Sequence, residues 1–354
     1  MARTPLYTRH SQGLAATYAD VENHALAQKE VISGTPGSVV ERTNASGARF
    51  YARQYYDHEG RKRDRYIAGP VGSPDTEALA ASWRERIRET NDVISSVRLL
   101  VREGYLAIGP KQFAALAPMC AHGLFEAGAV LVGTYAYSVA VNRLGIRAAA
   151  YSTEDIDLAR PGKLAIDELP AGGILEVLRE SGIDFVDVPA FPHGEPTACF
   201  KERGRSRLKV DLLVPARGTE ATTEFIPELK AHATALPYLR YLLGETQPGV
   251  VMSNHGVAAV RIPIPERFAI HKLIVSQLRV GRGQRSLKDR RQAAMLIAAL
   301  GEDHPGALEA AFARTPLSVR RHVRKSLEAL RGELEPHPMA WEEMARAAKI
   351  ATAE

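Results

Sequence analysis

The stretch Thr153-Glu154-Asp155-Ile156-Asp157-Leu158 constrains this chain more than any other. Side chains alternate along an extended strand, so Asp155 and Asp157 share one face while Ile156 and Leu158 share the other. The apolar face asks for a core. The acidic face asks for a cation, because two carboxylates brought together repel one another. A second apolar run, Leu208 to Val214, carries Asp211 at its centre, and a lone charge there is costly unless it is paired or metal-bound. Hard oxygen donors of this kind suit Mg²⁺, which keeps several waters and commonly bridges carboxylates and nucleotide phosphates.

An acidic pair spaced by one residue is by itself a common solvated motif, and its company sharpens it. Ala129-Val130-Leu131-Val132-Gly133-Thr134 reads as an apolar strand opening directly into a helix. A glycine at that junction lets a phosphate approach the backbone, and the amides of a helix start favour an anion. Thr134 is also a good N-cap, which is its purely structural role.

Composition narrows the setting. At 354 residues the chain implies two or three domains, and 45% hydrophobic with 25% charged residues excludes a disordered, collagen-like or coiled-coil chain. Two cysteines, Cys120 and Cys199, allow neither a disulfide framework nor a four-cysteine zinc site, which fits a reducing cytoplasm. No run approaches the ~18 apolar residues of a membrane helix, and the first residues, MARTPLYTRHSQG, hold no signal-type apolar core. A soluble, cytoplasmic protein is expected. The net charge of +5 is mild, but Lys201 to Lys209 holds five basic residues to one acidic, and Arg279 to Arg291 six to one. Such local surpluses favour anionic partners.

Pattern divides the chain into an N-terminal helical arm (1–35), a three-stranded β-meander (36–72), a helical connector (75–110), a core of mixed helices and strands (111–218) and a helical C-terminal domain (219–354). The fold class is α+β. In the middle strand of the meander Arg49, Tyr51, Arg53 and Tyr55 share one face and Phe50, Ala52, Gln54 and Tyr56 the other. An Arg-Tyr face combines phosphate attraction with base stacking, as single-stranded nucleic acid requires. It serves equally to pack on the helix expected at 76–103.

The elements Val132-Gly133-Thr134, Asp155-Ile156-Asp157 and Val210-Asp211-Leu212 together resemble the nucleotidyltransferase superfamily related to DNA polymerase β. The wording of 153–157 is similar to AbiEii-type toxins and minimal nucleotidyltransferases, and the whole layout to GSU2403-like nucleotidyltransferases. Thr134 stands where the superfamily more often has Ser or a second Gly, and Asp155 follows Gly133 by 22 positions, more than in minimal members. The resemblance implies a polymerase β-like core, a mixed sheet with helices. It implies NTP as substrate, with Asp155, Asp157 and Asp211 as catalytic residues holding Mg²⁺ or Mn²⁺, and Gly133 and Thr134 holding phosphates. Similar helices in related bacterial enzymes carry lysines that face the triphosphate, which nominates Lys272 and Lys288. The implied acceptor is a hydroxyl on an RNA or tRNA end, a protein side chain as in a toxin, or a small molecule such as an aminoglycoside.

Competing readings exist for the same residues. A metal-dependent sugar-nucleotide glycosyltransferase would use the acidic pair but needs neither Gly133-Thr134 nor Asp211. A nucleic-acid-binding or regulatory protein with a vestigial core would not need three intact carboxylates. Ser286-x-x-Asp289 reads as a capping box, which would explain the start of the Lys288 helix without catalysis. His255 and His271 beside apolar residues, and the two cysteines, are expected to be structural or inert.

Overall fold

The computed structural model describes residues 4–28, 30–151, 153–166, 169–188, 197–279 and 283–350. The N-terminal segment forms β1 (Thr8–Arg9) and α1 (Gln12–Ala27), which Ser11 caps by accepting the Leu14 amide. The meander follows as β2 (Ser38–Thr43), β3 (Arg49–Tyr56) and β4 (Lys62–Ala68), antiparallel in that order. Ser73 and Pro74 then start α2 (Pro74–Arg102), where Ala80, Ile87, Ile94, Val97 and Leu100 are the buried stripe. A polar cap followed by proline in the first turn is what a helix start requires.

Next come α3 (Pro110–Ala121), β5 (Val130–Val132), α4 (Gly133–Arg143), β6 (Ile146–Arg147) and β7 (Asp155–Ala159). Helix α3 ends at Ala121, because Pro118 occupies its last turns and Gly123 and Gly128 take positive φ just beyond. α5 (Gly173–Arg179), β8 (Phe185–Asp187), β9 (Cys199–Glu202) and β10 (Lys209–Pro215) complete the part where helix and strand alternate.

The expectation of a mostly helical chain from Thr222 is corrected. β11 (Thr222–Ile226), β12 (Ala231–Leu236), the short α6 (Leu239–Leu242), β13 (Thr246–Ser253) and β14 (Gly256–Pro263) come first. In β12 the alternation is carried by Ala231, Ala233 and Ala235, all buried, and alanine is a poor strand signal. In β13 and β14 a nearly continuous apolar run masks the period of two. Helices resume only at α7 (Pro265–Leu278), α8 (Gln284–Asp303), α9 (Ala307–Ala313), α10 (Arg320–Leu334) and α11 (Pro338–Ala348).

A seven-stranded sheet runs β11-β12-β10-β7-β5, with β9 on the same edge of β10 as β12, and β8 beyond β9. The sheet therefore reaches past residue 218 into what reads from pattern as the C-terminal part. β7 is parallel to β10 and antiparallel to β5, so it lies in the interior. One of its faces is dry: Ile156, Leu158, Val210, Leu212, Val214 and Phe200 are all 3% exposed or less. Burial of each such side chain contributes about 1.5–3 kcal/mol, and this fixes the register that turns the alternate residues outward. Among the described residues no helix is long and apolar enough to cross a membrane.

The Arg-Tyr face of β3 packs inward. Arg53 is 1% exposed and the Arg84 guanidinium lies over Tyr51, whose hydroxyl donates to Glu77 of α2. α2 thus covers this face around Tyr51 and Arg53, while Tyr55 and the neighbouring Arg65 of β4 border a cleft. The outward face instead carries Tyr56 and Tyr66, more than half exposed, with Tyr66 beside Phe50.

Candidate active site

Strand pairing arranges the site in two rows. Asp211 lies opposite Asp157 across β10–β7 and opposite Cys199 across β10–β9, and Asp157 lies opposite Val132 of β5. One pleat away, Lys209 lies opposite Asp155 on one side and Lys201 on the other. All three aspartates thus emerge on one face. The long connection from Gly133 to Asp155 leaves this register intact, because it closes through α4 and β6, which pairs with β1.

Immediately after Val132 the chain turns at Gly133 with φ of 68°, and a Cβ there would collide with Asp157 Oδ2. Glycine is needed on both counts. Helix α4 begins at this residue with Val132 as its N-cap, so Thr134 is not the cap expected of it. Its hydroxyl instead accepts a hydrogen bond from Lys288 Nζ at 2.8 Å. The Lys288 ammonium also sits over the Tyr151 ring, 5.6 Å from its centroid. Burial lowers the pKa of Lys288, nearby Lys272 adds to this, and Asp289, Asp155 and Asp157 oppose it.

Lys272 is buried on α7 and donates to Asp289 Oδ1 at 2.7 Å, while Arg279 holds Asp289 Oδ2 at 2.6 Å. Asp289 therefore anchors two cations, and Ser286 donates to the Ser276 carbonyl. With α8 starting at Gln284, the capping-box reading of Ser286 and Asp289 is corrected: both lie inside the helix and bind α7 or the residue following it.

The carboxylates differ in setting. Asp157 is pushed up to about 6, first by burial and then by Asp211, with Lys272 and Lys209 working against the rise. Asp211 takes a 2.5 Å contact from Lys209 Nζ, which lies 3.7 Å from Asp155 Oδ2. Lys209 is thus the cation that these two acids share. Among the described residues no three or more His, Cys, Asp or Glu side chains close around one point. The chemistry of the donor set nevertheless suits a hard divalent cation, with the oxygens of three carboxylates on one face of the sheet.

Two neighbours escaped the sequence reading. Cys199 lies opposite Asp211, and burial and that carboxylate push its thiol up to about 12. No motif could have announced this, since the contact crosses strands. Lys209 stood at the end of the basic run Lys201 to Lys209, and its spacing of two from Asp211 is the signal that places both on one face. Arg203 of the same run is turned to Asp184. His271 is buried in α7 and held neutral, its pKa lowered to about 3 chiefly by burial.

A cleft of about 550 Å³ adjoins the acidic strand, lined by Tyr135, Ser138, Tyr151, Thr153, Glu154 and Lys111 among others. The Tyr135 hydroxyl donates to the Thr153 carbonyl at 2.8 Å, tying α4 to the entry of β7. The space is of a size that takes a nucleotide.

A family model described as a nucleotidyltransferase matches residues 111–316, more than half of the chain. That span contains all three aspartates, Gly133, Thr134, Lys272 and Lys288. Searches of curated proteins and of solved structures give no match.

Proposed function

The chain belongs to the nucleotidyltransferase family, and from that premise we propose that it moves a nucleoside monophosphate from an NTP to a hydroxyl acceptor at the acidic face of the seven-stranded sheet. The observation that carries this reading is the cross-strand pairing of Asp157 with Asp211, with Asp155 on the same face and Gly133 packed against Asp157. The core is read as polymerase β-like on that arrangement of strand, glycine turn, helix and two acidic strands.

Asp155, Asp157 and Asp211 are the residues that would hold Mg²⁺. Bound there, the ion supplies charge neutralisation at the attacking and leaving oxygens. The chain's own groups do the rest. Gly133 leaves room for phosphate oxygens at the first turn of α4, whose free amides favour negative charge. Lys288, already directed to Thr134, supplies a positive charge to the departing phosphates, and Lys272 holds the helix pair α7–α8 in place through Asp289. Asp211 takes the proton of the acceptor hydroxyl as that oxygen attacks. The new bond joins that oxygen to the α-phosphorus, the bond from the α-phosphorus to the bridging oxygen breaks, and pyrophosphate leaves. Lys209 neutralises Asp155 and Asp211 whenever no other cation does so.

An RNA or tRNA end or a protein hydroxyl is the acceptor class proposed. The test is incubation with Mg²⁺ and each NTP labelled at the α- or the γ-phosphate, together with total RNA or lysate, followed by ribonuclease or protease. Label from the α-position should enter a macromolecule and label from the γ-position should appear only in pyrophosphate. Transfer of the γ-label would overturn the reading.

A further inference from the structure

A second charged cleft, of about 380 Å³, opens where the meander meets α3 and the turn after α5, and it shares no residue with the acidic site. Arg53, Tyr55, His58, Arg63 and Arg65 line its meander side. In the β3–β4 register Arg53 lies directly opposite Arg65. Like charges placed opposite one another across strands are destabilising, so this pairing calls for a compensating anion.

The cleft's own acids do not provide one. Asp57 is engaged with Arg61 and Arg63 at 3.2 and 3.0 Å, and Glu180 with His122 at 2.9 Å. No carboxylate of the described residues forms an ion pair with Arg53 or Arg65. Arg53 is nearly fully buried and donates to the carbonyls of Pro36, Ser33 and Thr35 at 3.1, 2.5 and 2.8 Å. Its guanidinium also stacks 4.0 Å from the Tyr55 centroid. These contacts satisfy its hydrogen bonds and supply no full negative charge. Burial accordingly brings Arg53 down to about 10, with Arg65 and Arg86 adding repulsion. His58 Nδ1, buried at the same cleft, has no hydrogen-bond partner among the described residues.

We propose that this cleft binds a phosphate group, with Arg65 as its direct ligand and Arg53 as the buried charge behind it. A planar guanidinium matches two phosphate oxygens at once, and the volume admits a nucleotide unit beyond the phosphate itself. The phosphate is supplied either by a free mononucleotide or by the backbone of a nucleic-acid strand. The site stands whether or not the acidic face performs the reaction proposed above, because none of its residues takes part there.

The reporter is Trp83, whose ring centroid lies 6.0 Å from the Arg53 guanidinium carbon, and which is one of two tryptophans in the chain. Its fluorescence is titrated in the full-length Trp341→Phe protein with inorganic phosphate, AMP and a twelve-nucleotide RNA. Saturable change is expected, weakened at least ~10-fold by Arg65→Glu, less by Arg65→Lys, and unaltered by Lys288→Met. Arg65 is exposed, so circular dichroism of the Arg65→Glu protein should match its parent. AMP binding as tightly as RNA assigns the phosphate to a mononucleotide. Tighter RNA binding, with a salt slope that falls by about 1 in Arg65→Glu, assigns it to a strand. Identical titrations of parent and Arg65→Glu with all three probes would overturn the proposal.

Discussion

The acidic sheet face and the basic meander face obey the same rule of alternation and end in opposite places. In β7 and β10 the apolar residues turn into the core and the aspartates open outward. In β3 the polar Arg-Tyr face is the one covered, and aromatic side chains face out. Strand parity identifies which residues travel together. It leaves open which group is buried, since that depends on what the other side of the strand meets. β7 meets a packed apolar interior, whereas β3 meets α2, whose facing residues include Glu77, Trp83, Arg84 and Arg86 and accept charged, aromatic partners.

Substitutions can break this contrast. On the acidic side, Asp157→Asn and Asp211→Asn should each lower nucleotidyl transfer by about 10²–10³-fold or more, the scale seen when a preorganised electrostatic group is removed. The urea midpoint should hold or rise, because each change also relieves the repulsion between Asp157 and Asp211. Transfer at the parental rate would remove these carboxylates from the reaction.

On the meander side, Arg53→Met should do the reverse, costing stability rather than chemistry. It strips a charged donor from three carbonyls, and a loss of about 2–3 kcal/mol is expected in urea denaturation. An unchanged midpoint would show that this face carries no packing burden.

Lys288→Met tests the link between distant elements. Loss of its charge and of its bond to Thr134 should raise the KM for NTP about tenfold, a difference of about 1.4 kcal/mol. A change confined to kcat would place Lys288 elsewhere in the cycle.

The smallest effect concerns a buried base, His271 of α7. His271 has a folded pKa of about 3 against 6.5 when free, so the unfolded chain binds the extra proton between those values. Its contribution is fully present above pH 6.5 and is lost as pH falls toward 3. At pH 5.5 the loss is on the order of 1 kcal/mol, and His271→Phe should flatten that part of the stability curve. Equal acid sensitivity in parent and variant would contradict the burial argument.

Much of the candidate site was legible because it depends on local spacing. The shared face of Asp155 and Asp157, the apolar company of Asp211 and the glycine entering α4 follow from strand period and helix-start chemistry. Of the four strands between Thr222 and Pro263, β12, β13 and β14 hid their alternation in alanines or apolar runs, and β11, Thr-Thr-Glu-Phe-Ile, is mostly exposed and so carries little apolar pattern. Ser286 and Asp289 had the spacing of a cap. Their true partners lie elsewhere, at Ser276 and at Lys272 and Arg279.

The sequence by itself determined the period of each strand, the sign of the charge on each face and the carboxylates available to a cation. Only the tertiary structure decided that Lys209 lies between Asp155 and Asp211, that Cys199 meets Asp211, and that Lys288 reaches Thr134 across 154 residues of chain. It also decided that the Arg-Tyr face turns inward. The physical reason is that alternation is set by neighbouring peptide geometry, whereas burial and charge pairing are set by elements far apart in the chain that meet only once the core has formed.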